Sequence, residues 1–193
     1  MSRIITLTGP SGVGKSYIKR RLKAELHLVE IPVFTTRNRR NENENSERIF
    51  VTEEEFLQKL YDGELIFMNC LYGARYAFSS SDINRMKQPD GEFILELYIG
   101  NVRRFRNVFP FANMIAIVTD SMDLLRSRLR KRLEDEADIE LRLKGAEREI
   151  QDILYEKELF DVVYFVDYYN GNQIENEIIE YVRRYLDANE KSY

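Results

Sequence analysis

The sequence predicts an α/β protein: a three-layer α/β/α fold on a largely parallel sheet, with a small mixed α/β excursion over residues 35–89. Three observations carry this. A β-prone segment, Arg3-Ile4-Ile5-Thr6-Leu7-Thr8, passes through a Gly-rich turn into Tyr17 to Leu26, whose apolar residues keep helical spacing. Two later runs, Phe93 to Ile99 and Met114 to Val118, are almost continuously apolar, as strands covered on both faces are. Strand and helix segments alternate to the end of the chain.

The elements follow in order. After the first helix, Glu30-Ile31-Pro32-Val33-Phe34 reads as a strand, and Thr35 to Glu47, nearly free of apolar residues, as a loop. Arg48 to Val51 resumes as a strand. Thr52-Glu53-Glu54-Glu55 is a capping box, in which Thr52 accepts from the amide three residues on and Glu55 reaches back. The helix it opens turns Phe56, Leu57 and Leu60 inward and stops near Asp62-Gly63. Glu64 to Leu71 and Arg75 to Phe78 form a hairpin with its turn at Tyr72-Gly73-Ala74. Ser79 to Asp82 caps a short helix that ends before the Pro89-Asp90-Gly91 turn. Between the two buried strands lies a helix, Val102 to Phe109, with Arg103, Arg104 and Arg106 outward. From Ser121 the pattern is helical. Asp123 to Leu133 carries Arg126, Arg128, Arg130, Lys131 and Arg132, most of them solvated; Glu134 to Asp138 is an acidic hinge. Ile139 to Leu159 then shows an apolar set at Leu141, Leu143, Ile150, Ile153 and Leu154. Asp161 to Val166 is a last strand and Ile174 to Leu186 a last helix.

Composition narrows the function classes. The 193 residues suffice for one domain with a substantial core, at 44% hydrophobic and 32% charged residues. A net charge of −4 disfavours a nucleic-acid-coating role. No apolar run approaches the ~20 residues of a membrane span, and the N-terminus enters a strand directly, so neither membrane nor signal peptide is expected. The one cysteine, Cys70, fits a reducing cytoplasm, and its apolar surroundings predict a buried packing role. His27, the only histidine, has no partners for a metal site or a nucleophilic triad.

The chemistry starts at Gly9-Pro10-Ser11-Gly12-Val13-Gly14-Lys15-Ser16, a glycine followed after four residues by Gly-Lys-Ser. Lying between a strand and a helix, it has the setting its mechanism needs. Glycines let the backbone wrap an anion, and amides at a helix N-terminus face phosphate. Ser11, Gly12, Val13, Gly14, Lys15 and Ser16 are therefore the candidate cradle for the phosphates of a nucleoside triphosphate. Lys15 is a candidate catalytic residue reaching the outer phosphates, and the Ser16 hydroxyl is a candidate Mg²⁺ ligand.

Further landmarks extend the pattern: Thr35-Thr36-Arg37 with Arg40 beyond it, Phe50-Val51-Thr52-Glu53-Glu54-Glu55-Phe56, the Tyr72 to Phe78 hairpin, Ile94-Leu95-Glu96, and the Arg128-Leu129 and Arg142-Leu143 pairs. With these the chain resembles the guanylate kinase family of P-loop nucleoside monophosphate kinases over nearly its whole length. The resemblance implies a kinase core at 1–34 and 90–193, with a helical lid at about 126–145 and an acceptor-binding insertion at 35–89. It implies ATP and Mg²⁺, and a small phosphorylated acceptor as partner. Arg37 and Arg40 match the family's grip on the acceptor phosphate, where a guanidinium fork suits bidentate binding. Tyr76 keeps its register in the acceptor site. Arg132 and Arg142 match the lid arginines over the transferring phosphoryl group. Glu96 matches an acid near the metal, although one methylene longer than the usual aspartate, and Asp167 falls where the family contacts adenine.

The guanine-reading positions depart from the family. The glutamate that accepts from guanine is Phe67, a hydroxyl residue is Phe78, and the second acid of the central strand is Tyr98. Arg48 replaces a tyrosine and adds a third candidate phosphate ligand. An apolar set of this kind suits either stacking or a filled, closed site. Losing buried acceptors should cost guanine discrimination heavily. GMP is the acceptor by family default; another nucleotide or a sugar phosphate such as ribose 1,5-bisphosphate is the alternative. A non-catalytic guanylate-kinase-like binding module is disfavoured by the intact Gly14-Lys15-Ser16. A kinase acting on nucleic-acid ends, drawing on Arg103, Arg104, Arg106 and the Arg126 to Arg132 run, ranks last.

Overall fold

The structure, a computed structural model, describes residues 2–39, 48–132 and 135–190. In chain order it contains β1 (Arg3–Thr8), α1 (Lys15–Leu26), β2 (Val29–Glu30), β3 (Val33–Thr35), β4 (Arg48–Phe50), α2 (Glu53–Tyr61), β5 (Leu65–Leu71), β6 (Ala74–Ser79) and α3 (Ser80–Arg85). Then follow β7 (Glu92–Glu96), α4 (Ile99–Val108), β8 (Asn113–Val118), α5 (Met122–Arg130), α6 (Glu136–Tyr155), a 3₁₀ turn at Lys157–Leu159, β9 (Val162–Phe165) and α7 (Gly171–Glu190). Among the described residues no helix is long and apolar enough to cross a membrane.

The central sheet is parallel throughout, in the order β2-β7-β1-β8-β9. Its strands are apolar on both faces because both are covered. On one face Leu95, Met114, Ala116 and Val118 pack with Val102 and Phe105 of α4 and Ile153 of α6. On the other, Ile5, Leu7, Ile115 and Ile117 meet Ile18 and Leu22 of α1, Leu125 of α5 and Ile178 of α7. A second sheet, β4-β3-β6-β5, stands apart with its own small core of Phe56, Leu65 and Ala77.

Several local expectations hold at the level of single bonds. The Glu55 amide donates to Thr52 Oγ1 at 3.2 Å while Glu55 Oε2 accepts from the Thr52 amide at 2.8 Å, completing the capping box. Others are corrected by packing. Glu30 to Phe34 is not one strand: β2 joins the parallel sheet and β3 the second one. Pro32, with no N–H to offer a ladder, stands where the chain changes sheets. The 93–99 run ends as strand at Glu96, and Ile99 opens α4. Leu57, Leu141 and Leu154 are exposed, because the inward stripes run through Phe56 and Leu60 in α2 and through Ile139, Leu143, Ala146, Ile150 and Ile153 in α6. Arg106 turns inward to the Leu159 and Ala112 carbonyls and to Asp161. Cys70 is exposed, not buried. It lies on the edge strand β5, past a bulge between Ile66 and Asn69 that shifts the register of the pairing.

Candidate active site

β1 ends in the middle of the parallel sheet, and the chain turns back over the strand ends at once. Only glycine fits at residue 9, where a Cβ would stand 2.1 Å from the Ile117 carbonyl oxygen. Gly14 (φ 119°) then occupies the N-cap position of α1 with no side chain to cap it. The Tyr17 amide turns back to the Gly14 carbonyl at 3.0 Å, which leaves the amides of Lys15 and Ser16, before it, at the open end of the helix, as an anion site requires. Lys15 folds back over the loop, its Nζ donating to the Gly9 carbonyl and to the Pro10 carbonyl at 3.0 Å. Arg128, expected in solvent, instead buttresses the loop: its Nη1 donates to the Val13 carbonyl at 2.6 Å.

Glu96 ends β7 beside Leu7, which brings it to the loop. The Ser16 hydroxyl donates to Glu96 Oε1 at 3.0 Å, and Lys19 Nζ pairs with the same oxygen at 3.0 Å and with Glu30 at 2.6 Å. Burial works to raise the Glu96 carboxyl, but Lys19, Lys15 and Arg48 together hold it well below the usual carboxylate range. Two hard oxygen donors are thus adjacent and ionised or polarisable at the loop, a donor set that fits Mg²⁺ completed by phosphate oxygens and water.

Three of the candidate arginines, Arg48, Arg132 and Arg142, approach this loop from different elements. Arg48, on β4 of the second sheet, and Arg132, just past α5, both act on Lys15; burial is the largest cause lowering its ammonium, and these two charges add to it. Arg142 of α6 reaches the Ser11 hydroxyl at 3.4 Å and stacks on Tyr72 with 4.9 Å to the ring centroid. Arg37 lies just after β3, over the Phe50 ring at 5.6 Å, with Tyr76 aligned opposite Thr35 on the neighbouring strand. Arg40 lies outside the described residues. Asp167 is engaged in its own loop: its Oδ1 accepts from the amides of Tyr169 and Asn170, at 2.6 and 2.8 Å.

Phe67, Phe78 and Tyr98, the three positions expected to depart from guanine reading, have a clear structural outcome. Phe67 takes a left-handed backbone (φ 55°) at the β5 bulge and is buried in the core, its ring 5.4 Å from that of Phe105. Asn101 donates to the Phe67 carbonyl at 2.7 Å and pins it there. Phe78 is buried in the same cluster. Of the two alternatives, filling rather than stacking applies to both side chains. Tyr98 remains partly exposed at the N-cap of α4.

One group was not legible in the sequence. Glu149 of α6 is only 8% exposed, and it acts electrostatically on Lys15, Tyr72 and Tyr98. Burial pushes its carboxyl up to about 7 against the charge of Lys15, with Asp152 and Glu96 adding to the rise. Its folded value lies above the unfolded 4.5, so its contribution to stability is complete below about pH 4.5 and is lost as pH rises through about 7. Glu149→Gln should therefore raise thermal stability relative to the parent at pH 8 but not at pH 5. The difference should be on the order of 3 kcal/mol. Unfolding followed at both pH values checks this, and equal increments at the two would show an ordinary carboxyl.

Comparison with known proteins adds the family. A model of guanylate kinase matches residues 1–189. The guanylate kinase of Bdellovibrio bacteriovorus is 32% identical over 154 residues, covering 78% of this chain and 83% of that protein. That of Nitrosospira multiformis is 33% identical over 147 residues, covering 75% and 70%. The crystal structure of guanylate kinase from Anaplasma phagocytophilum has the same fold, with a TM-score of 0.72 at 24% identity, over 95% of this chain and 85% of that one. On a match running almost from end to end, this protein belongs to the guanylate kinase family and is a nucleoside monophosphate kinase.

Proposed function

We propose that the protein moves the γ-phosphoryl group of ATP to the phosphate of a nucleoside monophosphate, with GMP, the acceptor its relatives' names point to, as the first to test. The observation that carries this is convergence on one loop: Arg48 and Arg132 act on Lys15, and Arg142 stands 3.4 Å from Ser11. An acceptor phosphate oxygen attacks the γ-phosphorus as the bond to the β-phosphate oxygen breaks and ADP departs. The acceptor is already anionic, so no general base is required. Catalysis is then positioning and charge stabilisation. The loop amides and Lys15 hold the donor phosphates, and Arg132 and Arg142 meet the charge that spreads over the transferring group. Arg37, Arg40 and Arg48 grip the acceptor phosphate in the insertion at 35–89, Tyr76 lines its site, and the loop of Asp167 borders the adenine. Ser16 and Glu96 would hold Mg²⁺, which neutralises charge on the phosphates when bound.

A second reading, an acceptor other than GMP such as another nucleotide or a sugar phosphate, is favoured by the burial of Phe67 and Phe78. ADP release measured over a panel of nucleoside monophosphates and sugar phosphates separates the two. GMP as the fastest acceptor supports the first; a slow rate on GMP beside a fast one elsewhere selects the second. Arg37→Ala should raise the KM of the best acceptor about tenfold or more, with a smaller fall in kcat. An unchanged KM removes Arg37 from the acceptor site.

A further inference from the structure

The tip of the β5–β6 hairpin touches α6 in a contact that none of the roles above uses. Tyr72 and Gly73 form the two-residue turn, both with positive φ (52° and 77°). Glycine is suited to that backbone; an aromatic residue is not, so Tyr72 holds its position against local preference. Its ring lies on Gly145 in the interior of α6. A methyl group at 145 would stand 2.7 Å from Tyr72 Cε1 and 2.8 Å from its hydroxyl oxygen. Glycine weakens a helix interior, yet only glycine admits the ring this close.

Arg142, Gly145 and Glu149 are spaced to share one face of α6. Tyr72 packs on the middle of that face, and the Arg142 guanidinium stacks on the same ring at 4.9 Å while its Nη1 points to Ser11. The guanidinium is therefore held between the hairpin tip and the phosphate loop. Burial, with Glu149 next in size, keeps the Tyr72 hydroxyl neutral, its value pushed up to about 12.

We propose that Tyr72 is a positioning residue: seated on Gly145, it holds Arg142 over the phosphate loop and so makes placement of this arginine depend on docking of the acceptor-side hairpin against α6. The proposal rests on the phosphotransfer reading for its kinetic consequence, but the contact itself does not. It gives the chain a way to present Arg142 only when the hairpin is seated, which limits phosphoryl transfer to water.

The test is a mutant cycle on the full chain, with ATP and the best acceptor of the panel. Tyr72→Ala should lower kcat about 10- to 100-fold with little change in the KM for ATP, and Tyr72→Phe, which keeps the ring, should restore it. Gly145→Ala should imitate Tyr72→Ala. Adding Tyr72→Ala to Arg142→Ala should cost nothing further, since one acts through the other. An unchanged kcat in Tyr72→Ala, or losses that multiply with Arg142→Ala, would overturn the proposal. Failure of the parent to release ADP with any acceptor would instead sink the phosphotransfer reading. The contact is then decided separately: the chain has no tryptophan, so Tyr72→Trp is a sole reporter. Blue-shifted emission that moves red on adding Gly145→Ala supports the contact; solvent-like emission in both overturns it.

Discussion

Replacing Lys15 with alanine should abolish measurable turnover, a loss of about 10³-fold or more, while the protein stays folded. The lysine is held inside the loop by the Gly9 and Pro10 carbonyls, and the Glu96 and Glu149 carboxylates oppose the depression of its ammonium by burial. The side chain thus stays inside the loop, where the proposed phosphates would bind. Its removal does not strand Glu96, which still pairs with Lys19 at 3.0 Å. The loss should therefore fall on catalysis and not on the fold. Rates of ADP release beside thermal unfolding check this; a folded variant keeping a tenth of the parent rate would take Lys15 off the phosphates.

The second large effect concerns Phe67, which the family resemblance aligns with a guanine-reading glutamate. Phe67→Glu would place that residue type there, but it should not confer a preference for guanine. It should destabilise the protein by about 3–5 kcal/mol, through the lost ring and the buried carboxylate. The reason is the direction of the side chain. At φ 55° on the bulge it enters the core beside Phe105, under the Arg104 guanidinium at 5.1 Å, with its carbonyl pinned by Asn101. Urea unfolding measures the loss, and kcat/KM for GMP against other monophosphates measures discrimination. A stable variant with sharpened preference for GMP would show that residue 67 still faces the acceptor.

These two positions mark where reading by sequence succeeds and where it stops. The phosphate loop, the Thr52–Glu55 capping box, the Tyr72-Gly73 turn and the order of strands and helices follow from residues close together in the chain. Their chemistry is local: a glycine where φ must be positive, a hydroxyl where an amide is unpaired, an apolar run where both faces are covered. Arg142 and Glu96 are singled out by the family resemblance and not by local chemistry, and the structure places both beside the loop, at Ser11 and Ser16.

What spacing does not determine is where a side chain goes once distant elements pack. Phe67 could have stacked on an acceptor or filled the core, and a one-residue bulge with an Asn101 hydrogen bond from α4 settled it. Arg128 looked like one more solvated arginine until α5 packed beside the loop, 115 residues away in sequence, and its fork met the Val13 carbonyl. Glu149 is an ordinary acid on an amphipathic helix until burial beside Lys15 changes its protonation. Burial and charge proximity belong to pairs of residues far apart in the chain, so they exist only in the folded molecule. The phosphate loop is written in one contiguous stretch; the seating of Arg142 against Tyr72 arises only when the hairpin meets α6, because residues 72 and 142 are brought together by packing alone.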